Sequence, residues 1–144
     1  MKIHHIDHIG INVNDLAAAK AFFVDFGLEV QGEGEMESKQ LDQVVGLKDV
    51  KTKYVFMRTP DGGANIELIK YYRPTDENGV QKPFANTFGI RHIAFVVENI
   101  EAIVAKLTKN GTEVFSEIQH FGSYKLIYVR GPEGIILELA EQRK

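Results

Sequence analysis

The chain has 144 residues, 44% of them hydrophobic, with 17 basic against 20 acidic side chains and a net charge of −3. That is the size of one domain with a core of its own; there is no basic cluster to form a nucleic-acid surface and no run near the ~20 apolar residues of a membrane span. The absence of cysteine excludes disulfides, thiolate metal sites and cysteine nucleophiles and fits a cytoplasmic protein, and the start, Met1-Lys2-Ile3-His4-His5-Ile6, does not read as a signal peptide.

In chain order, residues 5–13 predict a strand. Asn14 is placed to cap a helix over 15–26, which Gly27 would close. Leu28–Gly32, Thr52–Arg58 and Asn65–Tyr71 are predicted strands, with Asp61-Gly62-Gly63 as the turn between the last two. Residues 33–50 carry Met36, Leu41, Val44, Val45 and Leu47 and predict a short helix or lid. Residues 72–88, with Pro74, Asn78-Gly79 and Pro83, predict an exposed linker. A second series then follows: strand 90–97, cap Asn99, helix 100–109 ending at Asn110-Gly111, and strands Thr112–Ile118, Lys125–Arg130 and Ile135–Ala140, with Glu133-Gly134 as a turn. Ile100, Ile103, Val104 and Leu107 follow the i, i+3, i+4, i+7 spacing of one apolar helix face.

The second series repeats the first. Asp7-His8-Ile9-Gly10-Ile11-Asn12-Val13 aligns with Arg91-His92-Ile93-Ala94-Phe95-Val96-Val97 at an offset of 84, which also relates Ala18 to Ala102, Gly27 to Gly111 and Glu29 to Glu113. Each copy ends in a short apolar strand with a central glutamate, Glu67 or Glu138. The expected organisation is therefore one domain, 1–144, of two modules, 1–71 and 89–144, joined by the linker 72–88. His4, His5 and His120 do not recur in the other half.

Alternate residues of a strand face opposite sides. Ile9, Ile11 and Val13 oppose His8, Gly10 and Asn12; Ile93, Phe95 and Val97 oppose His92, Ala94 and Val96. Ile66 and Leu68 oppose Glu67, and Leu137 and Leu139 oppose Glu138. The more apolar face belongs under the helix, so His8, Glu67, His92 and Glu138 are expected on the other face. Two imidazoles and two carboxylates are a ligand set for one divalent ion; Zn, Ni, Co, Mn and Fe all suit it.

The motifs "DHIGINVNDL" (7–16), "GIRHIAFVVENI" (89–100) and "GPEGIILELAE" (131–141), with strand–helix–three strands twice over, resemble the vicinal oxygen chelate superfamily across essentially the whole chain. That superfamily includes glyoxalase I, methylmalonyl-CoA epimerase, bleomycin-binding proteins and extradiol dioxygenases. The resemblance implies an α+β fold of two βαβββ modules in tandem, forming a curved mixed sheet around a metal trough, and a homodimer acting on a small-molecule substrate, with no nucleic acid and no membrane. It implies a metal-dependent lyase or isomerase, with Glu138 as the proton-moving base and Glu67 as its counterpart. Glu67 resembles glyoxalase I, where dioxygenases carry His and epimerases usually Gln. Asn12, Tyr71 and Arg91 depart from the residues expected of glyoxalase I and the epimerases. The alternatives are a metal-free binding protein of the bleomycin-resistance type and an epimerase-like racemase. Strand position alone adds Asn12, Tyr54, Phe56, Tyr128 and Arg130 as substrate-binding candidates.

Overall fold

A computed structural model describes all of residues 1–144. The chain divides into two compact units, Met1–Val80 and Gln81–Lys144. The first contains β1 (His8–Asn12), α1 (Leu16–Phe26), β2 (Glu29–Met36), α2 (Lys39–Val45), β3 (Lys51–Arg58) and β4 (Asn65–Arg73). The second contains β5 (His92–Val96), α3 (Ile100–Lys109), β6 (Gln119–Phe121), β7 (Tyr124–Arg130) and β8 (Ile136–Gln142). Residues 74–91 carry neither helix nor strand.

Each unit has one four-stranded mixed sheet, ordered β1-β4-β3-β2 in the first and β5-β8-β7-β6 in the second. The opening strand lies parallel to the closing one, β1 on β4 and β5 on β8, and the other pairs are antiparallel. A parallel pair needs a long crossover between its strands, and α1 and α3 lie within those crossovers. The tandem α+β fold expected from the duplication is thus formed, as two four-stranded sheets.

The helix-facing side of each sheet is the core. Across the first unit, Ile9, Ile66 and Met57 form one row, and Ile11, Leu68 and Val55 the next; Met57, Leu68 and the α1 residues Ala19 and Phe23 are wholly buried. In the second unit, Ile93, Leu137 and Val129 form one row, and Phe95, Leu139 and Ile127 the next. Ile100 of α3 is wholly buried beside them and Leu107 nearly so, as the helical spacing predicts. Glu141 of β8 accepts the backbone N–H groups of Asn99 and Ile100 at 2.9 and 3.0 Å, which ties the start of α3 to the sheet. Those N–H groups hold its carboxyl below the usual range.

The structure shortens the strands expected over 5–13 and 90–97 to His8–Asn12 and His92–Val96, and local chemistry corrects other bounds. The cap of α1 is Asp15, whose carboxylate accepts the Ala18 N–H at 3.0 Å; Asn14 gives its carbonyl to Lys70 Nζ at 2.6 Å. The strand β2 runs on to Met36 because its outward glutamates are paired, Glu33 with Lys20 and Glu35 with Lys53. Residues 37–50 then hold α2, capped by Ser38 and closed by Gly46 in the left-handed region. The strand predicted over Thr112–Ile118 does not form. Glu113 and Phe115 bond to β7 through their backbones, but Ser116 Oγ and Gln119 Nε2 both donate to the Glu117 carbonyl. Such local bonds compete with a ladder, and regular pairing resumes only at Gln119.

Leu139 is wholly buried between sheet and helix. Leu139→Ala should lower the unfolding free energy by about 2–5 kcal/mol, the range for emptying a buried leucine site. Urea unfolding followed by circular dichroism checks this; a loss under about 1 kcal/mol would mean that the site collapses onto the smaller side chain.

Candidate functional site

On the open face of the first sheet, Gly10, Glu67 and Phe56 form one cross-strand row, and Asn12, Ile69 and Tyr54 the next. His8 pairs with Asn65, so Glu67 is its diagonal neighbour. His8 Nε2 stands 3.4 Å from Glu67 Oε1, with side chains 37% and 20% exposed. The imidazole meets the Phe56 ring edge-on at 5.2 Å, and Phe56 meets Tyr54 at 5.8 Å. Gly34 lies opposite Tyr54; a Cβ there would stand 2.9 Å from the Tyr54 hydroxyl, so the glycine leaves room for the ring. The other imidazole nitrogen, Nδ1, lies 2.7 Å from Asp7 Oδ2.

The second unit repeats this pair. Ala94, Glu138 and Tyr128 form the corresponding row, and His92 Nε2 stands 3.5 Å from Glu138 Oε1, with side chains 38% and 19% exposed. His92 and Tyr128 rings lie 5.1 Å apart. Tyr128 stands opposite Glu138 in the ladder, where the first unit has Phe56. Burial, and then charge and hydrogen-bonding interactions with Glu138, raise the phenol above its ordinary pKa. Glu67 faces a ring with no hydroxyl.

The structure therefore brings His8 together with Glu67, Phe56 and Tyr54, and His92 together with Glu138 and Tyr128. Asn12 shares the first open face, one row from Glu67. Arg130 lies on the Tyr128 side of β7, but its side chain is only 8% exposed. It donates to the Gly134 carbonyl at 3.1 Å, sits 4.9 Å over the Phe115 ring and stands 3.7 Å from Glu113. It thus braces the turn between β7 and β8. No three His, Cys, Asp or Glu side chains are gathered so as to hold a metal; the structure shows one His–Glu pair in each unit. Two neighbours escaped the sequence reading. Phe115, 5.9 Å from Tyr128, lies on the segment wrongly read as a regular strand. Asp7 precedes the first residue of β1, where strand alternation does not apply.

A duplicated βαβββ unit with a His–Glu pair on the open face of each sheet defines a class of small-molecule proteins. The model of the Glyoxalase/Bleomycin resistance protein/Dioxygenase superfamily matches residues 5–139, and the chain belongs to that superfamily. It is 29% identical over 142 residues to the uncharacterized protein YaeR of Escherichia coli K12, covering 97% of this chain and 98% of that one. The crystal structure of a glyoxalase family protein from Bacillus cereus superposes with a TM-score of 0.94 at 34% identity, covering 100% of this chain and 97% of the other. Two more distant structures share the fold. One is the trypanothione-dependent glyoxalase I of Leishmania major (TM-score 0.68, 20% identity, 96% and 87% covered). The other is TnmS3, an antibiotic-binding protein of a Streptomyces species (0.65, 15%, 99% and 98%). The shared fold thus serves both an enzyme and a binding protein. No helix is long and apolar enough to cross a membrane.

The raised Tyr128 phenol gives a direct check. Spectrophotometric titration should show a tyrosine ionising above the usual range, near 10, and that component should be missing in Tyr128→Phe. An unchanged high-pH component in the variant would mean that it belongs to another tyrosine and that Tyr128 is not raised.

Proposed function

We propose that this protein is a metal-dependent lyase or isomerase of the glyoxalase type, moving a proton beside the carbonyl or enolate of a small-molecule substrate, with His8, Glu67, His92 and Glu138 as the protein donors to one divalent ion. The observation that carries the reading is the duplicated pair, with Nε2 and Oε1 facing each other at 3.4 and 3.5 Å. Two ligands each about 2.0–2.2 Å from an ion stand about 3.0–3.4 Å apart at right or tetrahedral angles, so each pair suits adjacent positions on a metal. Two neutral imidazoles and two carboxylates balance a dication, and mixed N/O donors suit Zn, Ni, Co, Mn or Fe. When bound, such an ion supplies Lewis-acid polarisation of a substrate oxygen, which acidifies the neighbouring C–H.

Glu138 is the proposed base. Its carboxylate lies on the open face beside the His92 imidazole, with Nε2 and Oε1 3.5 Å apart, and a proton-transfer group must be held within hydrogen-bond reach of its target. Glu67, opposite Phe56, is the second carboxylate and the candidate to return a proton. Asn12, Tyr54 and Phe56 on the first open face, and Tyr128 on the second, are the proposed substrate contacts; Arg130, engaged with the β7–β8 turn, is left out of that role. The active form is proposed to be a cytoplasmic homodimer: β1, β2, β5 and β6 end their sheets and leave edges for a partner to cover. A metal-free, antibiotic-binding relative would share the open faces but bind no ion.

Elemental analysis after metal loading tests the assignment. His8→Ala/His92→Ala should lose most of the metal while keeping the wild-type circular dichroism spectrum; full retention would overturn the ligand set. Glu138→Gln keeps an oxygen donor and should retain appreciable metal. It should lose deuterium exchange at the α-carbon of a hemithioacetal or thioester probe by about 10²–10⁴-fold; unchanged exchange would move the base to Glu67. Sedimentation should give the mass of two chains at micromolar concentration, and a monomer at every concentration would remove the dimer.

A further inference from the structure

We infer that Asp7 orients His8 and fixes which of its nitrogens is free to bind a metal, and that the second half of the chain lacks such a residue. The consequence for metal binding rests on the ligand reading above; the hold of Asp7 on His8 does not.

The geometry is specific. Asp7 Oδ2 lies 2.7 Å from His8 Nδ1, and a carboxylate only accepts. Nδ1 must therefore carry a hydrogen and donate it. In the neutral imidazole this leaves the lone pair on Nε2, the nitrogen that stands 3.4 Å from Glu67 Oε1. Two lone-pair-bearing atoms then face each other across a gap that a cation satisfies. Carboxylate–histidine–metal chains of this kind set the tautomer and raise the basicity of the ligand.

Asp7 is well placed to do this without serving the fold. Its backbone carbonyl accepts the Asn65 N–H at 3.0 Å, which anchors the chain just ahead of β1. Its side chain is 76% exposed and takes no part in the core.

The second half has the opposite arrangement. The residue 84 positions after Asp7 is Arg91, whose guanidinium donates to the Thr87 and Phe88 carbonyls at 3.4 and 3.2 Å. His92 meets Glu138 and the Tyr128 ring, and no carboxylate is on its other nitrogen. The two halves therefore present unequal imidazoles. His8 is fixed through Nδ1 with Nε2 free and is the stronger donor; His92 has its Glu138 and Tyr128 neighbours but no carboxylate to fix its tautomer. A divalent ion should depend on Asp7 and be indifferent to Arg91.

The test uses the full-length protein. In the metal-free state, ¹⁵N chemical shifts of labelled histidines should show His8 protonated on Nδ1. Asp7→Ala should move that proton toward Nε2, and Asp7→Asn, which keeps an acceptor oxygen, should largely preserve it. Zn²⁺ or Co²⁺ titration against a competing chelator should show Asp7→Ala weakening affinity by about 10–100-fold, Asp7→Asn weakening it less, and Arg91→Ala leaving it unchanged. Wild-type His8 protonated on Nε2, or a tautomer untouched by Asp7→Ala, overturns the proposal. So does wild-type affinity in Asp7→Ala when His8→Ala has lost the metal. If His8→Ala itself binds metal like the wild type, the ligand reading fails instead, and the ¹⁵N shifts alone decide whether Asp7 holds the ring.

Discussion

The parallel pairing of the first and last strands of each half governs everything else in this molecule. Pairing β1 with β4 sets Ile9 beside Ile66 and Ile11 beside Leu68; pairing β5 with β8 sets Ile93 beside Leu137 and Phe95 beside Leu139. These apolar pairs need cover, and the helix in each crossover supplies it. Because the side-chain period of a strand is two, the same register forces His8 and Glu67, and His92 and Glu138, onto the opposite face. A slip of one residue would bury the polar pair and expose the core. The site geometry is thus held by the hydrophobic face behind it.

Within that frame the two halves have diverged where packing does not forbid it. Opposite the glutamate, Gly10 in one half and Ala94 in the other are both small; a methyl at Gly10 would stand 3.8 Å from Ile69, an ordinary contact. Across the glutamate, Phe56 and Tyr128 are alike in shape and differ by a hydroxyl, so Glu138 lies opposite a phenol and Glu67 opposite a bare ring. Beside the histidine, Asp7 and Arg91 differ in sign. A symmetric backbone therefore carries two chemically distinct His–Glu pairs.

The strand faces of the four proposed ligands were legible in the sequence because both strands of each pair alternate cleanly, and the aromatic residues of β3 and β7 follow the same rule. Cap Asn99 and the stop at Gly27 were legible because their chemistry is local. The cap of α1 was read one residue early, since Asn14 and Asp15 are both good caps and what separates them is the Ala18 N–H, which the Asp15 carboxylate accepts. The segment 112–118 alternates well enough to suggest a strand, and nothing in it signals that Ser116 and Gln119 will bond locally. Asp7 was invisible as a neighbour of His8 because strand periodicity places adjacent residues on opposite faces, and Asp7 lies just outside the strand. Phe56 against Tyr128 was in plain view, but the meaning of the extra hydroxyl depends on cross-strand register, which a single sequence does not print.

The distance along the chain between paired donors has a consequence for biogenesis. Many metal motifs place their donors a turn or a few residues apart, so an unfolded chain can already seize an ion. Here His8 and Glu67 come from opposite ends of the first half, as His92 and Glu138 do from opposite ends of the second, and they meet only when the closing strand docks beside the opening one. A ribosome-bound or partly degraded chain missing β4 or β8 presents isolated side chains with little hold on a cation. On the ligand assignment proposed above, loading is deferred until synthesis and folding are complete, which keeps stray ions from templating wrong structures on the way.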